Sequence, residues 1–183
     1  MSIPFNIFPV GPHKRPLIEG WQDKATQDPE KIAVWEAQGV RAWGIPTGAR
    51  NGLFVIDLDV DKETGEAVGE ASLRAMPRYA RLLDCIAVST PSGGKHIYRQ
   101  HFEGARNSTS KIGPKIDTHG EGGYVVAPGS ITAAGLYEGW GPVCRPAVPI
   151  GLRAMLLHTP PAPVRTSDRI TPTGEAEELL AHV

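Results

Sequence analysis

The sequence predicts an α+β fold, because turn-forming residues are frequent and short strand-like runs are interspersed with helical patterns. The 21 glycines and 17 prolines make up about a fifth of the 183 residues, which indicates many turns and favours a sheet-containing fold over a helical bundle. Apolar residues account for 40% of the chain and charged residues for 21%. We therefore expect most of the chain to fold around a buried core.

Four elements are predicted before residue 60. An apolar run ends at Gly11-Pro12, and a helix begins at Asp28, an N-cap acid followed by proline at the first helical position. The last of the four is apolar except for two acids, which is typical of a buried central strand. The predicted bounds are a strand over 5–10, a helix over 28–39, a strand over 41–45 and the central strand over 52–60.

The following elements are shorter. A helical pattern ends at Pro77, because proline cannot continue a helix. Two strand-like runs then flank a turn over 90–94 that contains two adjacent glycines. The predicted bounds are a helix over 66–76, strands over 85–89, 95–98, 124–127 and 136–138, and a short helix over 150–157.

The composition changes after His158, and this change predicts the domain organisation. Residues 159–173 contain four prolines and almost no large apolar side chains, which is typical of an extended linker. Residues 174–183 begin an amphipathic helix. We expect one domain over 1–158, a linker over 159–173 and the start of a truncated helical domain over 174–183.

Several classes of protein are excluded by the sequence. Cys85 and Cys144 lie far apart without a CxxC pair, which excludes a disulfide scaffold and a cysteine-rich zinc site. The N-terminus lacks the pattern of a signal peptide, and no window approaches the ~18 apolar residues of a membrane span. We expect a soluble, cytoplasmic protein with no zinc and no membrane partner.

Asp57-Leu58-Asp59 is the strongest candidate for a functional motif. Side chains alternate along a strand, so residues i and i+2 project from one face about 6.6 Å apart. Two such carboxylates repel each other unless a cation neutralises them, and they suit Mg²⁺ or Mn²⁺. A strand end that reaches solvent also explains the acids. An EF-hand loop is excluded, because Lys62 and Val68 stand where it needs glycine and glutamate.

Ser92-Gly93-Gly94-Lys95-His96 is the second motif. Two glycines after a hydroxyl residue let the backbone approach a phosphate closely and present its N–H groups. Lys95 and His96 then enter a strand, where they must point to opposite faces. An ordinary hairpin turn with an incidental histidine is the alternative interpretation.

Ile116-Asp117 is the third motif, and glycines at 120, 122 and 123 follow it. Asp117 would complete a three-carboxylate metal site with Asp57 and Asp59. In isolation it would be an ordinary surface acid. The glycines indicate a backbone that lies close to another group, such as a nucleotide.

The formal net charge of −1 taken as an average argues against a polyanionic partner, but the charge is unevenly distributed. Residues 51–70 carry six acids and one lysine, whereas residues 71–116 carry eight basic residues and two acids. An acidic metal site beside a basic stretch suits nucleic-acid binding, and a solvated helix face explains part of the basic charge equally well. The aromatic residues that can either stack on a base or belong to the core are Trp21, Trp43, Tyr98 and Tyr124.

In their order and spacing, the three motifs resemble those of archaeo-eukaryotic-type primases. They look most like the bifunctional primase–polymerase (Prim-Pol) domain of plasmids, phages and integrated mobile elements. The resemblance extends over about residues 5–145. Supporting similarities are Lys14-x-Pro16, Trp21-Gln22, Pro46-Thr47-Gly48 and Gly122-Gly123-Tyr124.

The resemblance implies a two-layer α/β fold with an RRM-like catalytic sheet, on which Asp57, Asp59 and Asp117 bind two Mg²⁺ or Mn²⁺ ions. It also implies nucleotide binding by the second motif, at Ser92, Gly93, Gly94, Lys95 and His96. The further candidates for template or triphosphate contact are Lys14, Arg106, Asn107, Lys111, His119 and Tyr124.

The implied function is DNA-templated nucleotidyl transfer, by a polymerase and primase that uses a DNA template and primer with dNTPs or NTPs. The implied setting is replication of a mobile element or phage. De novo priming is expected to need a C-terminal accessory domain, and a helicase beyond it is an analogy with the family. Two alternatives stay open: an inactive nucleotide- or DNA-binding module, and a metal-dependent sugar-nucleotide transferase. The acid triad with His96 favours the polymerase.

Overall fold

The structure is a computed structural model that describes residues 4–139 and 145–158. The predicted linker over 159–173 and the truncated helix over 174–183 lie outside the described residues. The strands are β1 Phe8–Val10, β2 Ala42–Pro46, β3 Leu53–Leu58, β4 Ile86–Ser89, β5 Lys95–Gln100, β6 Ile116–His119, β7 Tyr124–Val126, β8 Ile131–Thr132, β9 Gly135–Leu136 and β10 Glu138–Gly139. The helices are α1 Trp21–Lys24, α2 Pro29–Ala37, α3 Val68–Arg74 and α4 Ile150–Leu157, with 3₁₀ turns at Ala49–Asn51 and Ala80–Cys85.

The α+β class predicted from the sequence is confirmed by these mixed helices and antiparallel sheets. The N-cap prediction for α2 is also confirmed, because the Asp28 side chain accepts a hydrogen bond from the Glu30 N–H at 3.0 Å. The single-turn helix α1 was not predicted. It follows Gly20, which has a φ of 64°, and four residues carry too little periodicity to reveal a helix.

The largest sheet has five antiparallel strands in the order β10-β4-β5-β3-β6. The predicted central strand, β3, lies between β5 and β6 in this sheet. A three-stranded antiparallel sheet has the order β1-β2-β7, and β8 pairs with β9 in a small hairpin. The three motifs are therefore brought together on β3, β5 and β6.

The two faces of the five-stranded sheet have different neighbours. Phe54, Ile56 and Leu58 of β3 face the helices, where they pack with Leu73 of α3 and Leu152 of α4. All five side chains are buried, so this face is the main anchor of the helical layer. Because side chains alternate along β3, the residues between Phe54, Ile56 and Leu58 point to the opposite face of the sheet and make different contacts.

The opposite face of β3 packs against the three-stranded sheet. Val55 and its cross-strand neighbour Tyr98 share a buried cluster with Ile45 of β2 and Val125 of β7. Asp57 lies two residues beyond Val55 on the same face, where the apolar packing gives way to an open cleft. The layer of small strands therefore forms one wall of that cleft.

Helix α3 packs directly on the end of β3. The Gly69 N–H donates to the Asp59 carbonyl at 2.9 Å, and the Asp59 N–H donates to the Lys115 carbonyl at 2.9 Å. A Cβ at Gly69 would lie 2.8 Å from the Asp59 nitrogen and 2.9 Å from its oxygen, and it would overlap the Lys115 oxygen. Only glycine allows this approach, which fixes the backbone of Asp59 between a helix and a strand.

No helix in the described ranges 4–139 and 145–158 is both long enough and apolar enough to cross a membrane.

We predict that Gly69→Val destabilises the protein by about 2–4 kcal/mol, because its side chain would collide with backbone atoms that cannot rotate away. The matched control is Ala71→Val on the exposed side of the same helix, which should cost less than about 1 kcal/mol. Urea unfolding of both variants measures the difference. Equal destabilisation by the two substitutions would contradict the close packing of α3 on Asp59.

Candidate active site

The register of the central strands places three motif residues in one row. Asp57 of β3 is the direct cross-strand partner of His96 on β5 and of Asp117 on β6. Directly opposite residues of antiparallel strands project from the same face of the sheet. Backbone pairing therefore holds one residue of each motif on the same face of the sheet.

Asp57 lies between two imidazole rings. Its Oδ2 is 3.4 Å from Nε2 of His119, and its Oδ1 is 3.7 Å from Nε2 of His96. Oδ1 is buried and has no hydrogen-bond partner among the described residues. A buried carboxylate oxygen without a partner is costly, so this atom is suited to accept a ligand that the protein itself does not supply.

The charge state of Asp57 and His96 follows from burial and from each other. Burial raises the pKa of the Asp57 carboxyl, but the neighbouring His96 and His119 outweigh it and leave the pKa below its ordinary value. Burial lowers the pKa of the His96 imidazole more than Asp57 raises it. His96 is therefore neutral at pH 7 and supplies no full positive charge. The contact with His119 at 3.4 Å also favours the Asp57 carboxylate.

The other two acids of the predicted triad lie close to Asp57. Burial raises the pKa of the Asp59 carboxyl, and the negative charges of Asp57 and Asp117 raise it further. Oδ1 of Asp117 accepts a hydrogen bond from the Ser110 N–H at 3.0 Å. Mutual repulsion of this kind shows that negative charge accumulates at one end of β3.

The donor chemistry of this cluster fits a hard divalent cation. Asp57, Asp59 and Asp117 supply carboxylate oxygens, which Mg²⁺ and Mn²⁺ prefer. Among the described residues, no group of three or more His, Cys, Asp or Glu side chains is already arranged as a metal site. Two observations agree with a cation-binding site here: the Asp57 oxygen has no hydrogen-bond partner within the described ranges, and the pKa of Asp59 is raised.

The glycine-containing turn lies beside the acids. It is closed by the Thr90 N–H donating to the Gly94 carbonyl at 2.9 Å, and its Gly93 has a φ of 91°. The hydroxyl of Ser92 lies 3.0 Å from that of Thr90. A Cβ at Gly94 would lie 2.8 Å from the Leu58 oxygen and 3.8 Å from the Asp59 Cα. Glycine is thus required for the turn to pack against the end of β3.

Lys95 and His96 point to opposite faces of β5, as their adjacency predicts. His96 is 4% exposed and faces Asp57. Lys95 faces the helical layer, where its Nζ pairs with the carboxylate of Glu70 on α3. The structure therefore does not bring Lys95 together with the acids, and nucleotide binding by this residue stays a prediction.

A cleft opens over the row of Asp57 and His96, and its volume is about 560 Å³. Four residues of the predicted contact set line it, namely Lys14, Asn107, His119 and Tyr124. The Tyr124 hydroxyl donates to the Lys14 carbonyl at 2.7 Å. The residues that line the cleft are Lys14, Trp21, Asp57, His96, Asn107, His119, Gly122, Gly123, Tyr124, Val125, Val126 and Tyr137.

Arg106, Asn107 and Lys111 line a second groove of about 400 Å³, and Asn107 also lines the cleft. The Lys111 Nζ donates to the carbonyl of Leu156, near the end of α4, at 2.5 Å. The Asn107 side-chain oxygen accepts a hydrogen bond from the Gly120 N–H at 2.9 Å. The predicted contact residues are therefore arranged along a path that continues from the cleft.

The basic stretch over 71–116 offers fewer cations for nucleic-acid binding than its charge suggests. Arg74 pairs with Glu70 at 2.6 Å, and Arg99 is 2% exposed with its Nη2 directed at the Leu82 carbonyl at 3.5 Å. Burial removes the Arg99 charge from the surface, and the ion pair with Glu70 partly neutralises the exposed Arg74. Arg106 and Lys111 are the cations of this stretch that line the second groove.

The structure separates the aromatic candidates. Trp43 and Tyr98 are buried in the core between the sheets, whereas Trp21 and Tyr124 line the cleft. Tyr137 also lines the cleft, with its ring centroid 6.0 Å from that of His96. Sequence reasoning missed Tyr137, because a single aromatic residue in a short strand-like run carries no functional signal.

Acids, an imidazole and a glycine-containing turn are thus brought together on one antiparallel sheet. Comparison with family models identifies the class: residues 2–150 match the bifunctional DNA primase/polymerase N-terminal domain, Prim-Pol. The chain belongs to the Prim-Pol family, which confirms the resemblance seen in its motifs. A search of the curated proteins finds no match. Membership indicates primase/polymerase-type nucleotidyltransferase activity in DNA replication, with DNA and nucleotides as substrates.

The Lys95–Glu70 pair gives a test of the structural role of Lys95. Lys95 and Arg74 lower the pKa of the Glu70 carboxyl, so Glu70 stabilises the fold above its unfolded-state pKa of about 4.3. That contribution is lost as the pH falls through the lower folded-state pKa. We predict that Glu70→Gln lowers stability by about 1–2 kcal/mol at pH 7 and that the loss shrinks toward pH 3.

Urea unfolding at pH 7, 5 and 3 measures this dependence. The control is Glu36→Gln, at an exposed position of α2, which should change stability little at any of the three values. A deficit for Glu70→Gln that stays constant from pH 7 to pH 3 would show that the carboxylate charge is not what stabilises the contact.

Proposed function

We propose that this chain is a DNA-templated nucleotidyltransferase, a DNA polymerase with primase activity, whose active centre is built on Asp57, Asp59 and Asp117. The observation that carries the proposal is the shared row of Asp57, Asp117 and His96 across β3, β5 and β6. Residues far apart in the sequence meet there beside a glycine-containing turn. Family membership indicates the class of reaction, and the row of Asp57, Asp117 and His96 supplies candidates for the catalytic and nucleotide-binding residues.

The proposed cofactor is Mg²⁺ or Mn²⁺, bound as two ions by Asp57, Asp59 and Asp117. When bound, such ions lower the pKa of an attacking hydroxyl and neutralise the charge of a leaving pyrophosphate. Asp57 contributes an oxygen that has no hydrogen-bond partner among the described residues. Asp59 contributes a carboxylate whose pKa is raised by burial and by the negative charges of Asp57 and Asp117. The protein's part is to hold these oxygens on a rigid strand and a tightly packed strand end.

The incoming nucleotide is proposed to place its phosphates between the turn and His96. Ser92, Gly93 and Gly94 offer a hydroxyl group and backbone N–H groups beside Asp59. His96 is buried and its pKa is lowered, so it remains neutral at pH 7 and can donate a hydrogen bond from Nε2 without adding a full charge. His119 holds the Asp57 carboxylate in place through the 3.4 Å contact.

The template strand is proposed to follow the groove of Arg106, Asn107 and Lys111. This groove adjoins the cleft through Asn107, and two of its residues are cations. Phosphate contacts by Arg and Lys give affinity that falls as the salt concentration rises. The proposed setting is replication of a phage or plasmid in the cytoplasm. De novo priming is proposed to depend on a C-terminal accessory domain, and a helicase is a further proposed partner.

The first test is extension of a primed template with dNTPs and Mg²⁺ or Mn²⁺. Asp57→Asn and Asp117→Asn should each reduce extension on the order of 1000-fold, because they remove negative charge at the proposed metal site. The matched control is Asp84→Asn, at an exposed position of the 3₁₀ turn Ala80–Cys85. Chelation with EDTA should abolish extension by the wild type.

The outcomes separate the proposals. Wild-type protein that extends no primer with either metal would contradict polymerase activity and leave a nucleotide- or DNA-binding module. Extension that survives in both Asp variants would contradict the metal assignment alone. Donor-sugar hydrolysis without any dependence on DNA would point to the sugar-nucleotide transferase.

The second test concerns His96. Its proposed contact with the phosphates predicts that His96→Ala lowers kcat/KM for dNTPs by about 10- to 100-fold. The control is His13→Ala, at an exposed loop position. Steady-state extension kinetics at saturating primer and template measure both variants. Unchanged KM and kcat for His96→Ala would remove this residue from the site.

A further inference from the structure

We infer that Trp21 and Tyr124 form a stacking platform for the base of the incoming nucleotide, an inference that rests on the proposed function. Both rings line the cleft that Asp57 and His96 also line. The cleft volume of about 560 Å³ falls within the range of small-molecule sites, which is ~300–1,000 Å³. It therefore has room for one nucleoside beside the catalytic row.

The platform is rigid because its rings are anchored in the core. Phe8 is fully buried and stacks on Trp21, with ring centroids 4.7 Å apart and an interplanar angle of 26°. The Phe8 ring itself occupies the space that a Cβ at Gly44 would fill. Tyr124 meets Trp21 edge-on at 5.0 Å. A prearranged aromatic pair loses little conformational entropy when it binds a planar ligand.

The partial exposure of the Trp21 and Tyr124 rings favours binding of a planar ligand. Phe8 stacks on one face of the Trp21 indole and Tyr124 makes a T-shaped contact with it, yet both Trp21 and Tyr124 still line the cleft. Trp21 and Tyr124 are both partly exposed, although each sits among buried neighbours. Stacking a nucleobase on them would remove this apolar surface from water, and base–aromatic stacking contributes substantially to nucleotide binding.

The surroundings favour stacking over recognition of base edges. The Asn107 side-chain oxygen, which also faces the cleft, already accepts the hydrogen bond from Gly120. The apolar floor is formed by Val125 and Val126. Such a site tolerates all four bases and binds purines more tightly than pyrimidines, because purines offer the larger stacking area. That tolerance suits an enzyme whose base choice is made by the template.

The Lys14 loop closes the same end of the cleft. Lys14 has a φ of 66°, which is uncommon for a residue with a side chain, and its carbonyl accepts the Tyr124 hydroxyl. Its Nζ lies 5.6 Å from the centroid of the Tyr137 ring. The hydroxyl therefore fixes the Tyr124 ring against the loop, so that the ring plane is set before a nucleotide arrives.

The test is equilibrium binding without DNA, measured by calorimetry in the presence of Mg²⁺ with dATP, dCTP and inorganic tripolyphosphate as probes. Trp21→Leu should weaken dATP binding by about 5- to 150-fold and dCTP binding by less. Binding of tripolyphosphate should stay unchanged, because it has no base to stack. The matched control is Trp35→Leu, a partly buried tryptophan on α2 that packs near Trp43.

Equal weakening of dATP and tripolyphosphate by Trp21→Leu would overturn the inference, as would unchanged dATP binding. Trp21→Phe, which keeps an aromatic face, should restore most of the affinity. Tyr124→Leu should reproduce the selective loss, and it replaces Trp21→Leu if that variant loses its circular-dichroism signal. Failure of the wild type to bind dATP would also overturn the inference. Selective loss of dATP binding in a protein that extends no primer would support the platform and contradict the proposed polymerase.

Discussion

The pairing of β3 with β5 and β6 is the constraint on which the candidate site depends. It sets Asp57 opposite both His96 and Asp117. A slip of one residue in either pairing would turn a functional side chain toward the helical layer, because strand side chains alternate with a period of two. The register is held by the buried face of β3, where Ile56 and Leu58 pack against α3 and α4. Core packing and site geometry are thus two consequences of one alignment.

The two faces of the five-stranded sheet differ in how their charged residues are paired. Lys95 and His96 are neighbours in sequence, yet one pairs with Glu70 on the helical side and the other faces Asp57. On the helical side, the Lys95 ammonium group is neutralised by the Glu70 carboxylate. The cleft side instead collects carboxylates around Asp57. Neutral His96, His119 and Lys14 compensate this negative charge only in part. Such an imbalance is tolerable where substrates or ions complete the electrostatics.

The sequence correctly predicted the α+β class, the central strand and the opposite orientation of Lys95 and His96, because hydrophobic alternation and turn residues are local signals. It also predicted Asp57 and Asp117 as partners through their motifs. It did not reveal that Arg99 is buried and that Lys95 of β5 pairs with Glu70 of α3. Burial and pairing depend on which elements meet, and no local pattern encodes that.

The sequence by itself determined the three motifs, their strand or turn context and the resemblance to the Prim-Pol family, which the family comparison confirmed. Only the tertiary structure decided how the motif residues and the aromatic side chains are arranged in space. It placed Trp21 and Tyr124 on the cleft wall but Trp43 and Tyr98 in the core. The physical reason is that side-chain exposure follows from long-range strand register and sheet packing, whereas sequence periodicity reports only which residues share a face.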